Sequence, residues 1–514
     1  MSFDASRQDL TIGVVGTGLM GRGIVQVAAQ GGMRVIAFDA QAGAAEKAKD
    51  YIAGMLARLS GKGSLSQADA DAALARIAIA GSLDDLARAD LIIEAVIERL
   101  DVKQELFARL DALAGPDTIL ASNTSSIPVT AIAARSARQD RIAGMHFFNP
   151  VPLMRLVEVI GGLKTAPWVL DALMTIGRRM TREPVLCTDS PGFIVNHVGR
   201  AYSPEALRIL SESIASHAEI DRIMTGAPGF RMGPFSLMDL VGHDTAHAVM
   251  ESIYGQFYNE PTYAPSPLMA LRVAGGLYGQ KTGQGWYTYQ DGRKQEPVVP
   301  AMPAAAKPLR MLNVKPSESN PRFTAELSEL LSKAGAEVQT ASRPEHGVPT
   351  VLAPVGWDLT TAIVDLRLDA PVTVAVDMMF GLKGPRTLMV TPATDPAVRD
   401  GVHAALAADG QQVVVINDSP GFVAQRLVAQ IINVGCNIAQ RGIASPADID
   451  KGAKLGLGYP FGPLEWGDRI GPRRILHVLE RLQAFFGDPR YRPSPWLKRR
   501  AMLGLPLSAP ERAR

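Results

Sequence analysis

Two ionisable residues stand in "MHFFNPVPLMRLVEVI", residues 145 to 160, a run that is otherwise mostly apolar and patterned like strands. Imidazole as a side chain has an ordinary pKa near neutral, so a neutral histidine at 146 can take the proton of a hydroxyl whose carbon is being oxidised. A carboxylate on the far ring nitrogen would fix the tautomer and stabilise the imidazolium that forms. Glu158 can supply it if the turn at "NPVP" lays its strand beside that of His146. A histidine in an apolar run is more often a core residue, and a glutamate there more often points to water. The company favours chemistry. Asn149, Ser125 in "SNTSS" and Asn196 after "DSPGF" offer neutral hydrogen bonds that can hold a carbonyl or hydroxyl without a competing charge.

An oxidation needs a hydride acceptor, and the N-terminal stretch "LTIGVVGTGLMGRGIVQVAAQGGMRVIAFDA" is built to hold one. Gly16, Gly18 and Gly21 form G-x-G-x-x-G between a β-branched run and a helical pattern. The first glycine allows a tight turn, the second lets backbone approach a pyrophosphate, and the third lets helix pack on strand. Leu19 and Met20 complete the turn at the helix N-terminus, whose free N–H groups face the phosphates. Asp39 ends the strand that follows this helix, where a ribose diol would sit. A carboxylate there repels a 2′-phosphate, and Ala40-Gln41 offer no arginine, so NAD(H) is expected over NADP(H).

These residues must be positioned by a sheet. "MRVIAFD", "ADLIIEAVIE", "TILASNTSS" and "RIAGMHFFNP" read as short strands separated by helix-compatible stretches, and residues 42 to 80 read as a helical hairpin broken at "SGKGSLS". The alternation predicts an α/β, Rossmann-type, doubly wound parallel sheet over 1–188. Residues 189–290 are helical in pattern, giving an all-α domain, and 291–309, rich in proline and alanine, read as a linker.

The second half repeats the first. "DSPGFIVNHVG…IDRIM…GPFSLMDLVG" from Asp189 returns as "DSPGFVAQRLV…IDKGA…GPLEWGDRIG" from Asp418, without a gap and at a constant offset of 229. Residues 411–514 are therefore expected to be a second, truncated helical domain, and 310–410 a degenerate α/β segment. That segment has no glycine fingerprint. Thr387 stands where the same offset places Glu158, Gln425 where it places Asn196, and "VTVAVDMMF" holds no histidine. The second unit should be catalytically silent.

Bulk composition excludes several classes. Hydrophobic residues are 47% and charged residues 20% of 514, with a formal net charge of +2. Neither nucleic acid nor an acidic membrane surface is called for as a partner. Two cysteines, Cys187 and Cys436, make a disulfide framework or cysteine metal site unexpected, and no metal is assigned. Without a signal-type N-terminus or a membrane-length apolar run, the expected location is cytoplasmic.

"GVVGTGLMGRGI", "EAVIERLDVKQELFARL", "ASNTSS", "RIAGMHFFNPVPLMRLVEVI", "TDSPGFIVN", "GPFSLMDLVG" and "KTGQGWYTY" together resemble the L-3-hydroxyacyl-CoA dehydrogenase family over about residues 10 to 290. With its partial second copy the chain resembles the two-unit bacterial form, the 3-hydroxyadipyl-CoA type of phenylacetate degradation. The resemblance implies NAD-dependent oxidation of an L-3-hydroxyacyl-CoA, in that pathway or in β-oxidation of fatty acids, with acyl-CoA as the substrate. It implies His146 as general base with Glu158 as its partner, and Ser125, Asn149 and Asn196 orienting the 3-hydroxyl and thioester. It also places Glu98 and Lys103 by the nicotinamide ribose, with Lys281 of "QKTGQG" completing the cofactor side. For Glu98 and Lys103 the plain alternative is a solvated helix surface. Lys47, Lys49 and Lys62 could meet CoA phosphates, and none is singled out. Helical domains form the subunit contact in this family, so two in one chain imply an intramolecular pseudo-dimer, with a further homo-oligomer left open. The rival readings are an NAD enzyme for free hydroxy acids and a non-catalytic NAD-binding relative.

Overall fold

The structure, a computed structural model, describes residues 3–298, 306–317 and 320–511. The chain divides into two compact units, 1–197 with 441–457, and 198–440 with 458–514.

In the first unit the β-branched run at β1 (Thr11–Val15) enters the glycine turn and α1 (Leu19–Gln30), then β2 (Arg34–Phe38). The expected hairpin is α2 (Ala44–Gly61) and α3 (Gln67–Ala75), the latter capped by the Ser66 hydroxyl on the Asp69 N–H. Next come β3 (Ile77–Ile79), β4 (Leu91–Glu94), α4 (Leu100–Leu113), β5 (Ile119–Ser122), α5 (Val129–Ala133) and β6 (Ile142–Phe147). Then β7 (Leu156–Gly161), α6 (Pro167–Arg179) and β8 (Glu183–Thr188) complete an eight-stranded sheet of order β3-β2-β1-β4-β5-β6-β7-β8. Neighbours are parallel except β6 and β7, which are antiparallel. The connection 148–155 is too short for the crossover a parallel pair needs, so the chain turns straight back. Leu10, Ile12, Val14, Ile24, Leu91, Ile119 and Met145 fill the core beneath the glycine turn, each without measurable exposure. α7 (Val195–Gly199) begins directly after the "DSPGF" turn.

The second unit holds the helices α8 (Ser203–Ser211), α9 (His217–Thr225), α10 (Pro234–Val241), α11 (His243–Gln256) and α12 (Pro267–Ala274). The linker expected over 291–309 does not start at 291. Instead β9 (Thr288–Gln290) pairs with β10 (Arg293–Gln295) across Asp291-Gly292, both at positive φ as a tight hairpin turn requires. Residues 299–305 of that stretch lie outside the described residues.

A six-stranded sheet follows, of order β12-β11-β13-β14-β15-β16. Its elements are β11 (Met311–Val314), α13 (Pro321–Lys333), β12 (Glu337–Gln339), β13 (Thr350–Leu352), α14 (Leu359–Leu366), β14 (Thr373–Val376), β15 (Arg386–Met389), α15 (Pro396–Leu406) and β16 (Val413–Ile416). The lone antiparallel pair, β14 with β15, again precedes a parallel last strand, which repeats the β6-β7-β8 pattern. Helices α16 (Ala424–Gln440), α17 (Pro446–Leu457), α18 (Pro463–Ile470), α19 (Pro472–Phe486) and α20 (Pro495–Leu503) end the chain.

The repeated motifs fold alike. Phe193 and Phe422 share φ near 50°, each behind a positive-φ glycine. Asp189 accepts the N–H groups of Val129 and Thr130, and Asp418 those of Leu359 and Thr360. The copies also exchange a segment. Thr188 N–H donates to the Ile443 carbonyl, and Asn417 N–H donates to the Ile214 carbonyl. Asn417 is the repeat counterpart of Thr188, and Ile214 that of Ile443, so each copy makes the other's bond. Consequently α17 packs on β7 and β8. Within the second unit, buried Arg426 on α16 meets Glu205 on α8 at 2.6 Å, Glu212 at 2.6 and 3.0 Å, and the Tyr491 hydroxyl at 2.7 Å.

Candidate active site

The antiparallel register sets His146 directly opposite Glu158. His146 Nδ1 lies 2.7 Å from Glu158 Oε2, and neither residue has more than marginal exposure. The other carboxylate oxygen, Oε1, accepts the N–H groups of Ile194 and Val195 at 2.9 Å each. These are the free donors at the start of α7, so the "DSPGFIVN" turn fixes the carboxylate that faces the histidine. Phe148 and Phe193 flank the imidazole, with ring centroids 4.5 and 5.9 Å away. With Nδ1 engaged by the carboxylate, any proton this imidazole exchanges with another group would pass through Nε2.

Asn196 follows one residue after the Glu158 cradle and donates to the Ser125 carbonyl at 3.5 Å, which ties two expected substrate residues together. Asn149 stands exposed on the turn between β6 and β7, three residues beyond His146.

A second charge cluster forms at the ends of β4 and β5. Lys103, 1% exposed, reaches Glu94 at 2.6 Å and Glu98 at 3.2 Å. Glu98 Oε1 accepts the N–H groups of Ser125 and Ser126 and the Thr124 hydroxyl. Burial raises the Glu98 carboxyl, but the Lys103 charge and these donors outweigh it and hold it below the ordinary range. A solvated surface is thus set aside for Lys103, whereas Glu98 stays partly open to solvent, 36% exposed. Glu94, the other partner of Lys103, is wholly buried and also accepts from Val96 N–H and the Ser122 hydroxyl. Sequence reasoning missed Glu94, Ser122 and Thr124. The signal was present, because Glu94 in "LIIEAVIE" is a carboxylate in an apolar strand, as Glu158 is.

The glycine turn fits a dinucleotide. Gly16 has φ of 87°, and a Cβ on Gly21 would strike the Gly16 carbonyl. Nothing lies within 4 Å of a Cβ placed on Gly18, at the N-cap of α1, so the approach to the helix N-terminus is open. No acidic residue occupies the first turn of α1; Leu19 there is exposed and Met20 half-buried. Asp39 is anchored by Thr17, whose N–H and hydroxyl donate at 2.7 and 2.9 Å, and by Gln41 N–H. Burial works against its charge, but these donors hold its carboxyl below the ordinary range, so a full negative charge stands at the end of β2.

The expected cofactor residue Lys281, and Lys49 among the three lysines left unassigned, each have a protein partner. Lys281 belongs to the second unit, where its Nζ pairs with both oxygens of Asp244 at 2.5 and 2.6 Å. Lys49 donates to the Ile77 carbonyl. Among the described residues no helix is long and apolar enough to cross a membrane, and no cluster of histidine, cysteine or carboxylates could hold a metal ion.

In the second sheet the residue across from Thr387 is Asp377, whose N–H donates to the Thr387 carbonyl. Gln425 donates to Asp377 Oδ1 at 2.9 Å and accepts Gly356 N–H. An aspartate and a glutamine thus close the place that His146 and Asn196 hold in the first copy.

A Rossmann-type sheet with a glycine turn after its first strand and a histidine–carboxylate pair across strands β6 and β7 is the frame of an NAD-dependent dehydrogenase. The 3-hydroxyacyl-CoA dehydrogenase NAD-binding domain matches residues 11–190, and the C-terminal domain of the same family matches twice, at 192–289 and 421–507. The chain is 37% identical over 496 residues to the 3-hydroxyadipyl-CoA dehydrogenase of Escherichia coli K12, covering 96% of this chain and 98% of that protein. It is 41% identical to human mitochondrial hydroxyacyl-coenzyme A dehydrogenase over 54% of this chain and 90% of that protein. A crystal structure described as 3-hydroxybutyryl-CoA dehydrogenase from E. coli K12 superposes with a TM-score of 0.85 at 36% identity, over 97% of this chain and 99% of that one. The chain belongs to the 3-hydroxyacyl-CoA dehydrogenase family, and its reaction is NAD-dependent oxidation of a 3-hydroxyacyl-CoA.

Proposed function

We propose that His146 and Glu158 form the catalytic pair and that the substrate is 3-hydroxyadipyl-CoA. The observation that carries the pair is the 2.7 Å contact between a buried histidine and a carboxylate held by two N–H groups. His146 takes the hydroxyl proton through Nε2 as the C3 hydride leaves, and Glu158 stabilises the imidazolium and holds the ring. NAD, when bound, would supply the hydride acceptor. Ser125, Asn149 and Asn196 orient the substrate oxygens. Gly16, Gly18, Leu19, Met20, Gly21 and Asp39 bind the dinucleotide, and the Glu98–Lys103 pair shapes the nicotinamide side. Lys281 serves there only if it leaves Asp244.

The choice of a dicarboxylic acyl chain rests on the relative that matches almost end to end. A short monocarboxylic chain is the second reading, favoured by the similarity to the E. coli structure described as a 3-hydroxybutyryl-CoA dehydrogenase. We read 310–410 as catalytically silent and the helical copies at 189–290 and 411–514 as an internal pseudo-dimer, a reading supported by the buried Arg426–Glu205 pair. A panel of 3-hydroxybutyryl-, 3-hydroxyhexanoyl- and 3-hydroxyadipyl-CoA tests the substrate, with the highest kcat/KM expected for the adipyl thioester.

A further inference from the structure

Glu94 and Ser122 are wholly buried polar residues to which the reaction gives no task. Glu94 ends β4, and in the sheet it stands between Val15, which ends β1, and Ser122, which ends β5. Gly16 follows Val15 directly, so Glu94 sits where the strand order reverses, beside the crevice in which such sheets bind their ligands. Its Oε1 accepts Lys103 Nζ at 2.6 Å and Val96 N–H at 2.7 Å, and its Oε2 accepts the Ser122 hydroxyl at 2.7 Å. Two arms lead from this carboxylate to the segment "SNTSS". The Ser122 hydroxyl accepts Thr124 N–H at 3.2 Å. Lys103 reaches on to Glu98, whose Oε1 accepts the Thr124 hydroxyl and the Ser125 and Ser126 N–H groups.

The second sheet shows that the fold does not require this cluster. Val314 ends β11 as Val15 ends β1; its partner on β13 is Val351, which pairs in turn with Val374 on β14. The register thus puts two fully buried valines where the first sheet has Glu94 and Ser122. The helix after β13, α14, carries no lysine, whereas α4 after β4 carries Lys103. Carboxylate, hydroxyl and lysine occur together in the sheet with the glycine turn and are replaced together in the sheet without one. A buried ion pair can often be exchanged for apolar residues without loss of stability, so stability alone does not account for this one.

Building on the reading of Glu98 and Lys103 as the nicotinamide side, we propose that Glu94 is a positioning residue for the cofactor. Through Lys103 and Ser122 it fixes the Glu98 carboxylate and residues 124–126 in the arrangement that receives the nicotinamide riboside. Glu94 itself touches no reacting atom. A lysine shared between two carboxylates does not draw Glu98 wholly to itself, so Glu98 stays on the N–H groups of Ser125 and Ser126. Groups already held in their binding arrangement lose less freedom when the ligand arrives, which strengthens binding. The gain concerns only the half of the dinucleotide beyond the phosphates, because the adenosine half is assigned to the glycine turn and Asp39.

The test measures the affinity of the full-length wild type, Glu94→Gln, Ser122→Ala and Glu98→Gln for NADH, by fluorescence titration, and for ADP, by competition. ADP shares the adenosine and two phosphates of NADH and lacks its nicotinamide riboside. Glu94→Gln keeps the shape and every hydrogen bond, since the Ser122 hydroxyl can accept from the new amide, and so removes only the charge. Lys103 then has Glu98 alone to meet and draws it off residues 125 and 126. NADH affinity should fall about ten-fold while ADP affinity stays within about two-fold. Ser122→Ala should weaken NADH about three-fold and spare ADP, even if Glu94→Gln fails to fold. Glu98→Gln should show the same split. Unchanged NADH affinity in Glu98→Gln would overturn the reading of the nicotinamide side and this inference with it. A split in Glu98→Gln that is missing from Ser122→Ala, or from a folded Glu94→Gln, would overturn the role of Glu94 alone. Equal losses of NADH and ADP in Glu94→Gln would do the same, since they would mark a residue that only holds the sheet.

Discussion

Glu158 spends both carboxylate oxygens, one on His146 Nδ1 and the other on the paired N–H groups of Ile194 and Val195. An amide has a single acceptor oxygen. Glu158→Gln must therefore turn its NH2 either toward the ring nitrogen or toward two backbone donors. Turnover should fall about ten- to 100-fold, less than on loss of the imidazole itself. Steady-state NADH formation checks this, and unchanged turnover would remove Glu158 from the pair.

Asp39 should set cofactor choice. The carboxylate at the end of β2 meets a 2′-phosphate with like charge, so Asp39→Ser with Ala40→Arg should raise the ratio of NADP to NAD use. Kinetics with both cofactors measure it. A wild type that already prefers NADP would contradict the assignment.

Asp377 carries a pH-dependent cost. Burial, against donors from Gln425 and Met379, raises its pKa from 3.8 to about 6. A carboxyl whose folded pKa lies above its unfolded one favours folding when protonated. Its contribution is therefore most favourable below about pH 4 and is lost as the pH rises through about 6. Asp377→Asn keeps both hydrogen bonds, since Gln425 and Met379 both donate to Oδ1. It should stabilise the protein above pH 7, by on the order of 3 kcal/mol at most, and do little near pH 4. Denaturant titrations at the two pH values decide, and equal effects at both would contradict it.

Arg426 should be costly to remove. Arg426→Met leaves Glu205, fully buried and held in its charged form by the Arg426 and Arg490 cations despite that burial, without its nearest counter-charge. The loss should be about 3–5 kcal/mol, read by urea unfolding. Arg322→Ala, at an exposed helix pair, should cost less than about 0.5 kcal/mol. Similar losses for both would show that the buried pair does not hold the helical copies together.

Much of the site was legible because short-range rules governed it. The turn between His146 and Glu158 was too short for a crossover, so two strands had to pair and one register brought the residues together. The glycine turn and Asp39 lie within one β-α-β unit and could be read the same way. Glu94 was passed over because its partner Lys103 comes from the next helix, and a buried ion pair is invisible until both ends are placed. The Asp-Gly hairpin at 291–292 was hidden by the proline and alanine after it. The exchange of α17 could not be read, since a repeated helix fits either copy and only the pairing of Ile443 with Thr188 chooses. Asp377 was missed as the residue opposite Thr387 because it sits two positions past the constant offset, a slip that keeps the same strand face.

The account rests on proton removal by His146, and one measurement tests that most directly: turnover of full-length His146→Ala with a 3-hydroxyacyl-CoA, alongside its NADH affinity. The imidazole contacts Glu158, Phe148 and Phe193, none of which belongs to the glycine turn at Gly16 to Gly21. NADH affinity should therefore stay within about two-fold while turnover falls about 100-fold or more. Wild-type turnover in this variant would contradict the account.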